Sequence, residues 1–241
     1  MSEFGFLNIS DNAVMGKTVY KKLFYENAEL SKGDVTRIKE NIEKIDWLYS
    51  LRPDTVNVLP YQDEIREYAE IEVLLVELRK VSDIKRIAEI IMRAIPYPML
   101  LIFRYEKMVS YVVSHQRTSQ TDVSQNVLEE LIITDFISEQ ETVVDFKQYR
   151  YNNFYTMYCD LVDSIILYKA NKHFDAKMMN ADQAKEKLER LQMYKNEIEK
   201  LESKIKKEIQ FNRKMEINMK LVEIKKKYNE LLDDCEQEEI G

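Results

Sequence analysis

Glycine and proline are scarce in this chain of 241 residues, which contains four of each. All four prolines lie before residue 100, and no glycine falls between Gly33 and Gly241. These two residues are the strongest local breakers of regular structure. Their absence therefore predicts that the second half of the chain is mostly helical.

Histidine and cysteine are equally rare, with two of each. Cys159 and Cys235 lie far apart, without the CxxC spacing or neighbouring histidines of a zinc ribbon or zinc finger. Two thiols in a chain of this length fit a reducing compartment. We expect Cys159 to pack within a helix and Cys235 to be exposed. We predict no metal site and no cofactor.

The chain also lacks a surplus of positive charge and a long apolar run. Its net charge of −7 gives no general attraction to DNA, RNA or acidic lipid, although local basic patches are compatible with it. Apolar runs such as Met99–Phe103 are far shorter than the roughly 20 residues of a membrane span. The N-terminal residues lack the basic and apolar segments of a signal peptide. We therefore expect a soluble, cytoplasmic protein without membrane contact.

Residues 1–178 are expected to form an α/β (α+β) head, in which helices flank a small mixed sheet. The sequence EIEVLLVELR, residues 70–79, is typical of a strand buried on both faces. PYPMLLIFRY and MVSYVVSHQ follow as a second buried strand and its hairpin partner. A helix over residues 83–95, capped by Ser82, separates the first two strands and predicts that they are parallel. Amphipathic helices are also predicted over residues 34–51 and 149–174.

Residues 182–237 are expected to form a charged helical arm, and residues 182–241 carry a net charge of only −1. Apolar residues alternate there at three- and four-residue steps, as in a coiled-coil seam. The two halves of the seam are out of phase, which indicates either one interrupted helix or a helical hairpin that turns near residues 212–214. The seam must meet a second segment of the arm, a second copy of the chain, or another protein. Its predicted interaction residues are Leu191, Ile198, Leu201, Ile205, Ile217, Leu221, Ile224 and Leu231.

One strand end carries the only legible hint of chemistry. Glu77-Leu78-Arg79-Lys80 is similar to the metal-binding strand of PD-(D/E)xK nucleases, with Asp63, Glu70 or Glu72 as the upstream acid. Arg79, however, stands where the lysine should be, and arginine cannot lose a proton to act as a base. A solvated strand end is the favoured interpretation, and we predict no catalytic residue. His115 is expected on the surface.

Three stretches together resemble a bacterial family known as domain-of-unknown-function family 4391. They are IKENIEKIDWLYSLRPDTVNV, EIEVLLVELR and IPYPMLLIFRYEKMVSYVVSHQR, and the resemblance covers residues 15–175. The resemblance implies a context: such proteins tend to be encoded beside helicase-like ATPases and DNA methyltransferases in restriction-like, anti-phage gene clusters. It implies no site residue.

The sequence and the resemblance together indicate a non-catalytic accessory or adaptor subunit. We expect it to bind a helicase-like ATPase or a DNA methyltransferase, or to self-associate, through the arm. The alternative is a degenerate or active PD-(D/E)xK-like nuclease subunit. The charge does not indicate a direct contact with nucleic acid.

A chain that ends near residue 178 is expected to remain soluble and to unfold cooperatively. The reason is that the apolar helices and buried strands before residue 178 suffice for a hydrophobic core. Thermal unfolding followed by circular dichroism checks this. Aggregation or a non-cooperative transition would show that the arm is part of the same folding unit.

Overall fold

The computed structural model of the chain describes residues 4–27, 30–118, 126–175 and 179–233. The chain divides into two compact units, Met1–Ile165 and Ile166–Gly241. The division falls inside a helix, whereas the sequence placed a boundary after residue 178. That boundary stays a prediction, and the exposure predicted for Cys235 concerns a residue outside the described ranges.

A mixed sheet of seven strands forms the centre of the first unit. Its strands are β1 (Val14–Thr18), β2 (Ile42–Leu51), β5 (Ile71–Leu78), β6 (Met99–Tyr105), β7 (Met108–Val113), β10 (Ile132–Ile133) and β11 (Ile137–Ser138). They are ordered β1-β2-β5-β6-β7-β10, and β11 also pairs with β7. Only β5 and β6 are parallel to each other; all other neighbours are antiparallel.

The two strands with the longest apolar runs lie at the middle of this sheet, as the sequence predicted. All eight residues of β5 except Glu77 are buried, including the charged Glu72. Helix α4 (Ile84–Ala94) forms the connection between β5 and β6, so the predicted parallel crossover is confirmed. The predicted hairpin partner of β6 is also confirmed, because β7 pairs antiparallel with it across the turn at Glu106 and Lys107.

The single helix predicted over residues 34–51 is wrong. Helix α2 ends at Asn41 (Lys32–Asn41), and residues 42–51 form β2, which pairs with both β1 and β5. Isoleucines at three- and four-residue steps continue across Asn41, but strand pairing on both sides outweighs this local pattern. Asn41 fixes the transition, because its side chain donates to the Ser82 carbonyl at 3.1 Å and its own carbonyl accepts from Arg79 N at 2.7 Å.

Helix α4 begins differently from the prediction. Its N-cap is Asp83, in the left-handed region at φ 57°, and no side chain caps the helix. The hydroxyl of Ser82 instead accepts from Asn41 Nδ2 at 2.9 Å. The remaining α-helices and strands of this unit are α1 (Lys22–Asn27), α3 (Pro53–Val56), β3 (Tyr61–Gln62), β4 (Glu67–Tyr68), β8 (Gln116–Thr118), β9 (Asn126–Leu128) and most of α5 (Phe154–Asn171).

The second unit contains two long helices, α6 (Ala181–Lys207) and α7 (Phe211–Asp233), which pack against each other. Only Glu208, Ile209 and Gln210 separate them, so the chain reverses and forms a helical hairpin. The turn lies before the predicted residues 212–214, which are instead part of the first turn of α7. None of the helices in the described part of the chain is long and apolar enough to cross a membrane.

The start of α2 contains a buried carboxylate that joins it to α4. Asp34 forms a capping box with Ser31 and accepts two hydrogen bonds of 2.9 Å from the Arg86 guanidinium. Arg86 holds the pKa of the Asp34 carboxyl well below its usual range. Asp34 therefore stabilises the fold above pH 4, and this contribution is lost as the pH falls.

We expect Asp34→Asn to lower the free energy of unfolding at pH 7 by about 2 kcal/mol, because Arg86 loses its charged acceptor. Urea denaturation at pH 7 and at about pH 2.5 measures the effect, which should be smaller at the lower pH, where the contribution of the Asp34 carboxylate is partly lost. Asp54→Asn is the control, since the Asp54 side chain is 73% exposed. An equal loss in both variants would contradict the role given to Asp34.

Candidate functional site

The eight seam residues lie within the helical hairpin of α6 and α7. The four leucines among them are buried and the four isoleucines are partly buried. Because α6 and α7 pack on each other, the hairpin itself uses the apolar area of the seam. Of the three occupants left open by the sequence, the structure supplies the second segment of the arm. The role of these eight residues in partner binding stays a prediction.

A second apolar row follows the opposite side of α7. Phe211, Met215, Met219 and Val222 are 74%, 48%, 69% and 60% exposed. Their steps of four, four and three residues place them along one face of the helix. The seam residues Ile217, Leu221 and Ile224 occupy the other face. We call these four exposed residues the outer row.

The strand end at Glu77 does not have the geometry of a nuclease site. Arg104 Nη2 lies 2.5 Å from Glu77 Oε1 and neutralises this carboxylate, while Lys80 is paired with Glu40 at 3.1 Å. The upstream candidate Glu72 lies at the opposite end of the same strand, and Asp63 is in the turn between β3 and β4. Within the described residues, no three His, Cys, Asp or Glu side chains are grouped so that they could hold a metal ion.

Glu72 is the most unusual acid of the first unit. It is 1% exposed, and its carboxylate accepts hydrogen bonds from Trp47 Nε1 at 2.5 Å and from Ser50 Oγ at 3.0 Å. Burial raises the pKa of Glu72 to about 7, against the lowering effect of these two donors. The neighbouring carboxylate of Glu70 contributes to this rise. The carboxyl is therefore partly protonated near neutral pH, which suits a buried position better than a metal ligand.

His115 is half-buried rather than on the surface. Its Nδ1 lies 2.8 Å from Tyr68 Oη, which also accepts from the backbone N–H of Gln116 at 3.3 Å. The Tyr68 hydroxyl and His115 Nδ1 thus share one hydrogen bond, whose donor is set by the tautomer of the imidazole. The rings of Tyr155 and Tyr158 pack around the same imidazole. This aromatic cluster joins β4, the end of β7 and α5. Burial raises the pKa values of Tyr68 and Tyr158 well above the usual range of a tyrosine.

The outer row, the buried Glu72 and the aromatic cluster were not predicted from the sequence, for different reasons. The outer row was detectable, because its four apolar residues repeat at helical steps in a segment without glycine or proline. The burial of Glu72 depends on Trp47 and Ser50, which strand pairing brings to it. The cluster joins residues 47 and 43 positions apart in the chain, Tyr68 to His115 and His115 to Tyr158, and no local pattern marks it.

The chain belongs to a family whose description is Domain of unknown function (DUF4391), and the family model matches residues 7–228. The match extends beyond the resemblance seen in residues 15–175 and covers α6 and most of α7. The residues of the helical hairpin, up to residue 228, therefore lie within the matched region. No curated protein and no solved structure matches this chain.

We expect Glu72→Gln to increase stability above pH 7. Because the pKa of Glu72 is raised in the folded state, its contribution is complete below about pH 4.5 and is lost as the pH rises through 7. The neutral variant should gain about 2–3 kcal/mol over the wild type at pH 8 and should be equal to it at pH 4. Denaturant unfolding at both pH values measures this, with the exposed Glu64→Gln as control. A variant less stable than the wild type at pH 8 would contradict the assignment.

Proposed function

We propose that this chain is a non-catalytic accessory subunit of a bacterial restriction-like, anti-phage defence system. In this proposal it binds a helicase-like ATPase or a DNA methyltransferase through the outer row of its C-terminal hairpin. The partner class follows from the family resemblance. The surface follows from the exposure of Phe211, Met215, Met219 and Val222, which is the observation that carries the proposal.

The outer row has the spacing by which a helix binds in a groove. Recognition of that kind uses anchors separated by three, four, seven or eight residues on one face. The outer row extends over twelve residues, and its ends are about 16 Å apart along the helix axis. Two of its four side chains are methionines, whose flexible thioethers adapt to the shape of a partner surface.

Leaving the outer row in water forgoes a large stabilisation. A fully buried side chain of this size contributes roughly 1.5–3 kcal/mol relative to an exposed one. The hairpin cannot recover this itself, because its seam occupies the other face of α7. A partner groove that surrounds each side chain of the outer row would recover it.

Self-association through the outer row alone is the weaker alternative. A stable interface buries about 800 Å² on each partner, and four side chains on one convex helix fall well short of that when they meet their own copies. A concave partner buries more area around the same four side chains. The borders of the outer row also differ in charge, with Lys214 on one side and Glu216 on the other, neither of which has an ion-pair partner among the described residues. Such an asymmetry fixes the orientation of α7 in a groove.

The proposal predicts that Met215→Glu combined with Met219→Glu weakens partner binding at least about tenfold, because two charges would enter an apolar groove. Co-expression with the helicase-like ATPase or the methyltransferase of the same host, followed by affinity capture and titration, measures this. Both methionines are exposed, so the melting temperature should not change.

Met193→Glu is the matched control, since Met193 is 55% exposed but lies on α6, outside the outer row. It should bind like the wild type. Substitutions in the seam are less informative, because Leu201 is buried and its loss would unfold the hairpin. Binding of the Met215→Glu, Met219→Glu variant with the affinity of the wild type would contradict the proposal.

A further inference from the structure

The charge of this chain is strongly divided along the sequence. Residues 200–227 contain ten lysines and arginines but only four glutamates, a net charge of +6, whereas the rest of the chain carries −13. The arm as a whole is near neutral only because acidic residues follow and precede this stretch. The half of the hairpin around the turn is thus a local positive region on an anionic protein.

Six of these cations lie on one side of the hairpin. Lys225 Nζ and Glu202 Oε1 form an ion pair of 2.8 Å, which marks the opposite side. Since each residue turns a helix by about 100°, a residue two positions away points almost the other way. This applies to Lys200 and Lys204 around Glu202, and to Lys227 after Lys225. Residues seven positions apart share a face. Lys207 therefore lies on the same face as Lys200, Lys220 on the same face as Lys227, and Arg213 on the same face as Lys220. The basic side consists of Lys200, Lys204, Lys207, Arg213, Lys220 and Lys227.

All six side chains of the basic side are exposed, and most have no anionic partner. Within the described residues, Lys204, Lys207, Arg213 and Lys220 form no ion pair. Lys200 and Lys227 are paired with Glu197 and Glu223, at 3.5 and 2.7 Å. Glu216 also borders this side, which leaves a net charge of +3 there. Cations left unpaired in two parallel rows attract an anion that extends along the hairpin.

We propose that the basic side of the hairpin binds the phosphate backbone of nucleic acid, without reading its sequence. Four to six phosphate contacts of this kind give a sequence-independent affinity that depends steeply on salt. Exposed lysines on a regular helix suit point contacts with phosphates. The aromatic side chains that would stack on bases are lacking on this side.

An anionic membrane fits the hairpin less well. A helix that lies on such a membrane carries its cations around its apolar face. Here the apolar outer row is bordered on one side by Glu216, which has no ion-pair partner among the described residues and which anionic headgroups would repel, and by Glu223, whose charge Lys227 already pairs. The basic side and the outer row are therefore separate surfaces, so nucleic acid and a protein partner can be bound together.

The test is a titration of the full chain into fluorescently labelled duplex and single-stranded DNA, at KCl concentrations from about 50 to 200 mM. We expect binding at the lowest salt and a slope of log affinity against log salt of about −4 to −5. Lys204→Glu combined with Lys220→Glu should weaken binding at least about tenfold and flatten the slope by about two.

Lys195→Glu combined with Lys206→Glu is the control, because it changes the net charge equally on the side of the Lys225–Glu202 pair. It should weaken binding less than about threefold. Circular dichroism verifies that both variants keep their helices. No binding at the lowest salt, equal losses in the two variants, or tighter binding to phosphatidylglycerol vesicles than to DNA would each overturn the inference. None of the substituted lysines belongs to the outer row, so a failure of this inference leaves the proposed protein contact to be tested separately.

Discussion

Strand β5 is the constraint on which the first unit depends. It is hydrogen-bonded along both edges, antiparallel to β2 and parallel to β6, and it is buried on both faces. A strand in this position can carry charge only where that charge is compensated. Glu72, at one end, has a raised pKa and two hydrogen-bond donors, and Glu77, at the other, is paired with Arg104. The contacts that stabilise the sheet thus engage both carboxylates, which lie at opposite ends of the strand.

The second unit depends on a similar constraint, because a helix face that packs against one helix is not available to another partner. The seam between α6 and α7 uses the inner face of each helix. The outer row and the basic side are what remains of α7, and they differ in chemistry and in direction. The proposed protein contact and the proposed nucleic-acid contact thus follow from how the two helices pack. The family model matches the chain up to residue 228 and so includes α6 and most of α7.

The sequence was sufficient where the local pattern and the tertiary structure agree. The apolar runs of β5 and β6, the crossover through α4 and the helical second half were all predicted correctly. Prediction failed at residues 42–51, because a helical spacing of isoleucines was overridden by pairing with strands that are distant in the chain. It failed again at Ser82 and His115, whose hydrogen-bond partners lie 41 and 47 residues away. The seam itself was legible, but its partner helix could only be chosen once the turn at residues 208–210 was known.

The most direct test of this account is the distance between Lys195 and Asn229, which line the same cleft between α6 and α7. Both positions can carry spin labels after Cys159 and Cys235 have been replaced by serine, and pulsed electron paramagnetic resonance then gives the distance in solution. A hairpin predicts a single short distance, below about 20 Å, since packed helices lie 8–10 Å apart. One continuous helix would separate the labels by about 50 Å. That longer distance would expose the seam and contradict the assignment of the outer row and the basic side.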